Sequence, residues 1–494
     1  MAVDYLYVRT VHMACAGISI GLFAARGAMQ LGGVDWRRWR WLRIAPHLVR
    51  PLPFLWPVYR GARVNRLMLA AALTAYDALA LFRNVGRHKR LSVRAALAVE
   101  PALAPEALVG AARYFDAATD DARLTLSNAL AAQSAGAVLV NHAHADGLLR
   151  ENGRVVGARV HDKESGERIE VRASATINAA GPWSDRVEAL VDGAATRGVH
   201  GSKGVHINVP RERVGNVQAL TLIAPQDGRV MFVLPAGAFT IIGTTDTFDD
   251  VAPETVHARE ADVAYLIAAV NHFFPKARLT DADVVSAWAG IRPLAYKGTG
   301  DSPGSASREH AISETSAGFI RVTGGKLTTY RSMSAEVVDV ALRSIGRAPG
   351  RSRTADIPLP GGDIADLPAL VRAATGVIGS ADIAERLVHA QGSGWRAIWS
   401  LAETEPALAG RLDESRPYVL AELRFAIEQE MARTLGDLLI RRMPLAFELR
   451  DHGRGVAARI AAVVCGWLGH PAERIGDLLV AYDLEIARMF VIDP

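Results

Sequence analysis

Cysteine is almost absent from this chain. Only Cys15 and Cys465 occur in 494 residues, far apart and without metal-ligand spacing. That excludes a disulfide framework and points to a reducing compartment. Long apolar runs are missing as well. None reaches the ~18 residues read as a membrane span. The least polar stretch, 13–25, is cut off by Arg26, and its flanks fit a signal peptide poorly. Acids are scarce at the start: residues 1–100 hold fifteen Lys/Arg but only Asp4, Asp35, Asp77 and Glu100, a balance of +11 that leaves −7 for the rest of a chain whose total is +4. Such a basic opening suggests a surface for anions, lipid headgroups included. No helix-turn-helix or stacked-aromatic pattern accompanies it, so nucleic acid is not the expected partner. The composition, 50% hydrophobic and 22% charged, suits a soluble globular protein of two or three domains.

Residues 36–66 are rich in Arg, Trp and Pro, a composition that suits an interfacial patch, because tryptophan and arginine both favour that boundary. The spacing predicts helices over 64–83 and 105–135. Ala137–Val140 reads as a short apolar strand. Alternating residues 145–172 around Asn152-Gly153 and Ser165-Gly166 predict a β-meander, with another buried strand at Ala173–Ala179. Several strands are expected over 200–245, a helix over 258–275, a strand over 284–290 and a hairpin over 300–323. Gly361-Gly362-Asp363 reads as a linker, and 364–494 is almost wholly helical. There is no internal repeat.

Three kinds of motif carry chemistry. Gly324-Gly325-Lys326-Leu327-Thr328-Thr329-Tyr330-Arg331 ends a strand and opens a helix. Its glycines admit a ligand close to the backbone, and the helix N-terminus with Lys326 favours negative charge. Asn178-Ala179-Ala180-Gly181-Pro182-Trp183 is a second strand-to-helix turn of small residues that suits a bound dinucleotide; alone it is equally an ordinary turn. Lys203-Gly204-Val205-His206, Gly243-Thr244-Thr245-Asp246 and Gly290-Ile291-Arg292-Pro293 place a histidine, hydroxyls, an acid and an arginine on strands. An arginine there can grip phosphate or carboxylate bidentately, and Arg308 in Ser307-Arg308-Glu309-His310 is a second such candidate. Each also has a plain structural reading: a strand histidine, an Asx turn, a surface ion pair.

Taken in order, R-I-A-P-H-L (43–48), L-F-R-N-V-G (81–86), Y-x-D-x-x-x-D-D-A-R-L (114–124) and the motifs above resemble the FAD-dependent glycerol-3-phosphate dehydrogenase family over residues 42–350, and more weakly beyond. The resemblance implies an α/β chain with a D-amino-acid-oxidase-like FAD-binding fold, an antiparallel-sheet substrate domain and a helical C-terminal domain. The expected division is a divergent segment 1–40, an FAD-binding part at 106–198 and 299–350, a substrate part at 41–105 and 199–298, and helices over 364–494. The implied reaction oxidises sn-glycerol 3-phosphate to dihydroxyacetone phosphate, with electrons passed to a membrane quinone at the inner face of the cell membrane. It implies His206 as the base, Arg292 and Arg308 as phosphate holders, Thr245 and Asp246 beside the substrate or ordering Arg292, and Lys326 as the cation beside the flavin. Ala143, Ala180, Gly181, Trp183, Lys203, Gly325, Lys326, Leu327 and Thr328 are the implied FAD contacts. No metal is implied, and a homodimer is compatible. An oxidase using oxygen, or a flavin-free binding remnant, are the alternatives.

The pattern breaks at the start. The family's G-x-G-x-x-G unit, which cradles the FAD pyrophosphate, and its H-G-G-L-R-Y string have no counterpart here; Ala16-Gly17-Ile18-Ser19-Ile20-Gly21 has the wrong spacing. The expectation is that residues 1–35 are not family sequence, through a wrong start or a frame shift. The other reading is a chain that cannot hold FAD in the usual way.

Overall fold

The computed structural model of the chain describes residues 47–80, 85–193, 199–248, 251–295 and 309–494. Strand β1 (Val49–Tyr59) is followed by helix α1 (Arg66–Leu79), β2 (Lys89–Leu91), β3 (Leu108–Thr119) and α2 (Asp121–Ser134). The meander β4 (Ala143–Glu151), β5 (Arg154–Asp162) and β6 (Arg168–Arg172) leads to β7 (Thr176–Asn178) and α3 (Ser184–Asp192). Next come β8 (Val199–Pro210), β9 (Ala219–Ile223), β10 (Val230–Ala236), β11 (Phe239–Gly243), β12 (Thr247–Phe248), β13 (Ala258–Arg259), α4 (Glu260–Phe273) and β14 (Ser286–Ala295). Then β15 (Ala311–Ser316), β16 (Phe319–Thr323) and α5 (Tyr330–Ser344) close this part. Helices α6 (Leu367–Ile378), α7 (Ala381–Gln391), α8 (Trp395–Thr404), α9 (Leu420–Gln429), α10 (Arg454–Trp467) and α11 (Arg474–Phe490) follow, and β17 (Ile492–Asp493) ends the chain.

The large sheet runs β12-β8-β11-β10-β9-β1-β3-β2, with β14 also paired to β8. Strand residues alternate between faces. On β8, Val205, Ile207 and Val209 are fully buried and pack in one core with Val263, Leu266, Val270 and Phe273 of α4. Each such side chain contributes about 1.5–3 kcal/mol on leaving water. The alternate residues Ser202, Gly204 and His206 are thereby committed to the opposite face, and that commitment creates the site.

Residues 108–119 overturn the expected helix. Their alanines favour a helix locally, but β3 pairs antiparallel with β1 from Val49↔Thr119 to Tyr59↔Leu108, and long-range pairing prevails over weak propensity. β3 therefore lies in the large sheet, between β1 and β2. The helix begins only at Asp121, where the Asp120 carboxylate caps the Arg123 amide at 2.9 Å. Ala137–Val140 is likewise no strand: Val138 is 90% exposed, and among the described residues nothing pairs with it. The buried strand expected at Ala173–Ala179 shrinks to β7.

The meander forms as expected, with Asn152 and Gly153 at φ +50° and +80°, the pair of positive φ values that a tight hairpin turn needs. A separate sheet orders β15-β16-β7, in which β16 and β7 run parallel with Arg321 opposite Asn178.

The helical domain docks through buried charge. Arg123 of α2 donates to both Glu430 carboxylate oxygens at 2.9 and 2.8 Å and to the Ala390 carbonyl at 3.3 Å. Gln391 donates to the same carboxylate. His47 is buried beside this cluster. Burial, with Arg123 and His389 nearby, lowers its pKa to about 4. The strings ending in His47-Leu48 and Arg123-Leu124 thus serve domain docking. At the far end, β17 pairs parallel with β13, Ala258 opposite Ile492.

Candidate active site

His206 and Arg292 share one face of the β11-β8-β14 triplet. On β8, His206 pairs with Gly243 of β11 and with Trp288 of β14. Its ring stacks on the Trp288 indole, with centroids 5.6 Å apart and 13° between planes. Two glycines make the room. A Cβ on Gly243 would lie 2.1 Å from His206 Cδ2, and one on Gly204 would lie 2.4 Å from an Arg292 Nη. Arg292, on β14, lies over Gly204. Its guanidinium donates to Asp246 Oδ1 at 3.1 Å and to Thr244 Oγ1 at 3.0 Å. The Ser202 hydroxyl also donates to Asp246. The arginine is thus aimed by an acid and a hydroxyl, while part of its fork stays accessible.

Burial, and then the positive charge of Arg292, lower the His206 pKa to about 4. At neutral pH the imidazole is neutral and able to accept a proton. An anion drawn to Arg292 would offset the guanidinium and make that acceptance easier.

The two glycine turns lie side by side. β7 and β16, being parallel, deliver both at the same carboxyl edge, the position at which open α/β sheets bind nucleotides. At the first, the buried Asn178 accepts from the Ala180 amide at 3.2 Å and donates to the Ser184 carbonyl at 2.8 Å. Gly181 has φ +57°. At the second, Gly324 and Gly325 have φ +71° and +92°, and a Cβ on Gly325 would meet Met333 Sδ at 2.7 Å. Lys326 is extended, and Leu327–Thr329 form a 3-10 turn into α5 without a side-chain cap. Lys326, Leu327 and Thr328 are exposed. Arg321 braces the pair from β16 by bonding Asp185 and Glu188 of α3. The Gly181–Trp183 turn packs against β14, the strand of Arg292, so the turns and the His206 face adjoin. Open left-handed turns with uncapped amides are what the flavin side of FAD requires, and Ala180, Gly181, Gly325, Lys326, Leu327 and Thr328 fit it. Residues 1–46, where a pyrophosphate cradle was sought, lie outside the described residues.

Several expectations change. Lys203 points to the other face, where its buried ammonium bonds Asp262 at 2.9 Å. Its strand parity, opposite to that of His206, dictates this. The Thr245 hydroxyl is buried and accepts from the Val205 amide at 3.0 Å; its neighbour Thr244 faces Arg292 instead. Asp246 orders Arg292. The Trp183 indole N–H donates to Glu254 at 3.0 Å. Ala143 opens β4 opposite Asp162, next to His142, which holds Asp437 at 2.8 Å, and no described contact joins it to the glycine turns. Arg308, like residues 43–46 and 81–84, lies outside the described residues. Sequence reasoning missed Trp288, Ser202 and Thr244. Period-two counting back from Arg292 reaches Trp288 directly.

The chain matches the FAD dependent oxidoreductase family over residues 12–331. Residues 352–475 match the C-terminal domain of alpha-glycerophosphate oxidase. It is 35% identical over 447 residues to a glycerol-3-phosphate dehydrogenase of Mycobacterium leprae, covering 90% of this chain and 75% of that protein. It is 32% identical over 419 residues to the aerobic glycerol-3-phosphate dehydrogenase of Staphylococcus aureus, covering 82% and 74%. The crystal structure of the Bacillus halodurans glycerol-3-phosphate dehydrogenase complexed with FAD superposes with a TM-score of 0.74 at 28% identity, covering 92% of this chain and 84% of that one.

Proposed function

Because the chain belongs to the FAD-dependent oxidoreductase family and is related to the glycerol-3-phosphate dehydrogenases, we propose that it oxidises sn-glycerol 3-phosphate to dihydroxyacetone phosphate. The observation that carries this reading is the pairing of a neutral, proton-accepting His206 with an aimed Arg292 on one face beside two dinucleotide-type turns.

FAD, when bound, supplies the acceptor for the C2 hydride. The chain's own residues do the rest. Arg292, aligned by Asp246 and Thr244, binds the substrate phosphate as a charge-assisted fork. His206 takes the C2 hydroxyl proton, on a ring fixed by Trp288 on one side and the Gly243 backbone on another. Lys326 and the amides after Gly325 favour negative charge at the second turn. Arg308 is proposed as a second phosphate cation on sequence grounds alone.

We further propose quinone as acceptor and the inner face of the cell membrane as the place. Among the described residues no helix is long and apolar enough to cross a membrane. Helix α1 instead presents Leu67 (78% exposed), Met68, Tyr76 and Leu79 outward, with Arg60, Arg63 and Arg66 exposed at its start, a combination suited to the lipid interface. Arg60, Arg63 and Arg66 belong to the expected Arg/Trp segment; its residues 36–46 lie outside the described residues and its Trp56 packs against Tyr114 in the sheet, so the apolar part of the contact falls to α1.

The test is anaerobic mixing of the FAD-loaded protein with sn-glycerol 3-phosphate. Bleaching of the flavin absorbance with formation of dihydroxyacetone phosphate is expected; a flavin spectrum unchanged by substrate would sink the proposal. Similarity of 352–475 to an oxidase domain favours a second reading, oxygen as acceptor. Stoichiometric hydrogen peroxide during aerobic turnover would establish it.

A further inference from the structure

A second polar cleft lies where the large sheet meets the helical domain. It encloses about 820 Å³ and is lined by Arg211, Phe239, Arg416, Glu448 and Arg450, among others. It is distinct from the His206 site: Phe239 opens β11 and Gly243 closes it, and four residue steps of strand separate them by about 14 Å.

Its arginines are held in an unusual way. Arg211 donates to the Asn216 carbonyl at 3.1 Å and to the Gly237 carbonyl at 3.5 Å. Arg450 donates through one Nη to the Ala282 and Val284 carbonyls, both at 3.0 Å. Among the described residues no carboxylate lies within ion-pair distance of either. Carbonyl anchors fix a guanidinium's position without neutralising it, and each leaves N–H donors unspent. Arg416 adds a third charge, lying 4.7 Å over the Phe239 ring and bonded to the Glu448 carbonyl at 3.0 Å. Its carboxylate partner Glu448, at 3.4 Å, is shared with the Tyr418 hydroxyl at 2.7 Å. Three arginines, contributed by both domains, thus face two lining carboxylates, Glu212 and Glu448.

We propose that this cleft binds a small phosphate-bearing anion, with Arg211, just past the end of β8, and Arg450, in a turn of the helical domain, as its two charged grips. Planar forks match phosphate oxygens in pairs, and pre-positioning reduces the entropy lost on binding. The same recognition serves a free phosphate monoester or a phosphate headgroup on a lipid. This site stands independently of the redox reading.

The experiment is calorimetric titration of the full chain with inorganic phosphate at constant ionic strength, in wild type, R292Q, R211Q and R450Q. Binding that survives R292Q and weakens about tenfold in each of R211Q and R450Q is expected, the loss of one charge-assisted contact. Should R292Q misfold, stoichiometry in the wild type decides: two phosphates bound, reduced to one in R211Q/R450Q. Unaltered phosphate binding in R211Q/R450Q overturns the site. Titration with a soluble short-chain phosphatidic acid, which does not depend on the α1 contact, separates the sources. Binding tighter than that of inorganic phosphate and lost in R211Q/R450Q assigns the site to a headgroup, and binding no tighter than that of inorganic phosphate assigns it to a soluble ester.

Discussion

Gly243→Ala is the sharpest probe of the site. The added Cβ would sit 2.1 Å from His206 Cδ2, whereas non-bonded carbons settle at about 3.5–4.0 Å. Either the imidazole or strand β11 must move by roughly 1.4 Å or more. β11 is paired on both edges, with β10 and β8, so the ring is the part that yields, and it must leave its stack on Trp288. A misplacement of about 1 Å at a reacting group costs on the order of 10²-fold in rate, while overpacking of this kind costs about 1–3 kcal/mol in stability. The expected result is a folded protein with kcat for glycerol 3-phosphate lowered about 10²-fold and a Tm a few degrees down. Gly476→Ala serves as control, because nothing lies within 4 Å of its Cβ and alanine is the better helix former by about 0.5–1 kcal/mol. A Gly243→Ala enzyme with kcat within about twofold of wild type would refute the assignment of His206, in this pose, to the chemistry.

Other perturbations follow from the same geometry. Arg292→Gln removes the charged fork, and kcat/KM should fall by about 10²–10³-fold with the protein still folded; steady-state kinetics checks it. Burial first, and neighbouring arginines second, lower the pKa values of His47, His206 and His389 to about 4. Their folded values lie below the unfolded value, so the stability they contribute is complete above about pH 6.5 and is lost as pH falls toward 4. Urea midpoints measured between pH 7 and 4.5 should fall steadily, and a flat profile would count against neutral burial. Arg123→Ala strands the buried Glu430 and should cost about 3–5 kcal/mol, read as a fall in the urea midpoint of the helical domain. Leu67→Asp on α1 should abolish sedimentation with anionic vesicles while leaving turnover with a soluble dye intact.

The strand-turn-helix strings were legible in the sequence because their chemistry is local. Gly181, Gly324 and Gly325 announce left-handed turns whatever surrounds them. His206 and Arg292 were legible as candidates, but their being neighbours was not, because that follows from β14 pairing with β8 across the 75 intervening residues 211–285. Parity and a loop decided the errors. Lys203 and Thr245 sit within a residue or two of site groups, yet strand alternation sends Lys203 toward α4, and the loop between β11 and β12 turns the Thr245 hydroxyl to the Val205 amide. β3 was misread because alanine-rich sequence carries no mark of the partner strand that claims it. The role of Arg123 was hidden for a related reason: its partner Glu430 lies 307 positions further along the sequence.

The pairing of β13 with β17 has a consequence for how the molecule is made. Ala258 meets Ile492, and His257 meets Asp493 at 3.2 Å, so the segment that leads into α4 is tied to residues up to 236 positions further along the sequence. Until residues 492 and 493 are in place, β13, which lies outside the large sheet, has no strand partner among the described residues, just as Arg123 waits for Glu430. Contacts of such long sequence separation are late and slow to form, and exposed edges are where nascent chains stick to one another. A chain cut just before Ile492 should therefore be a worse folder than its three lost residues suggest.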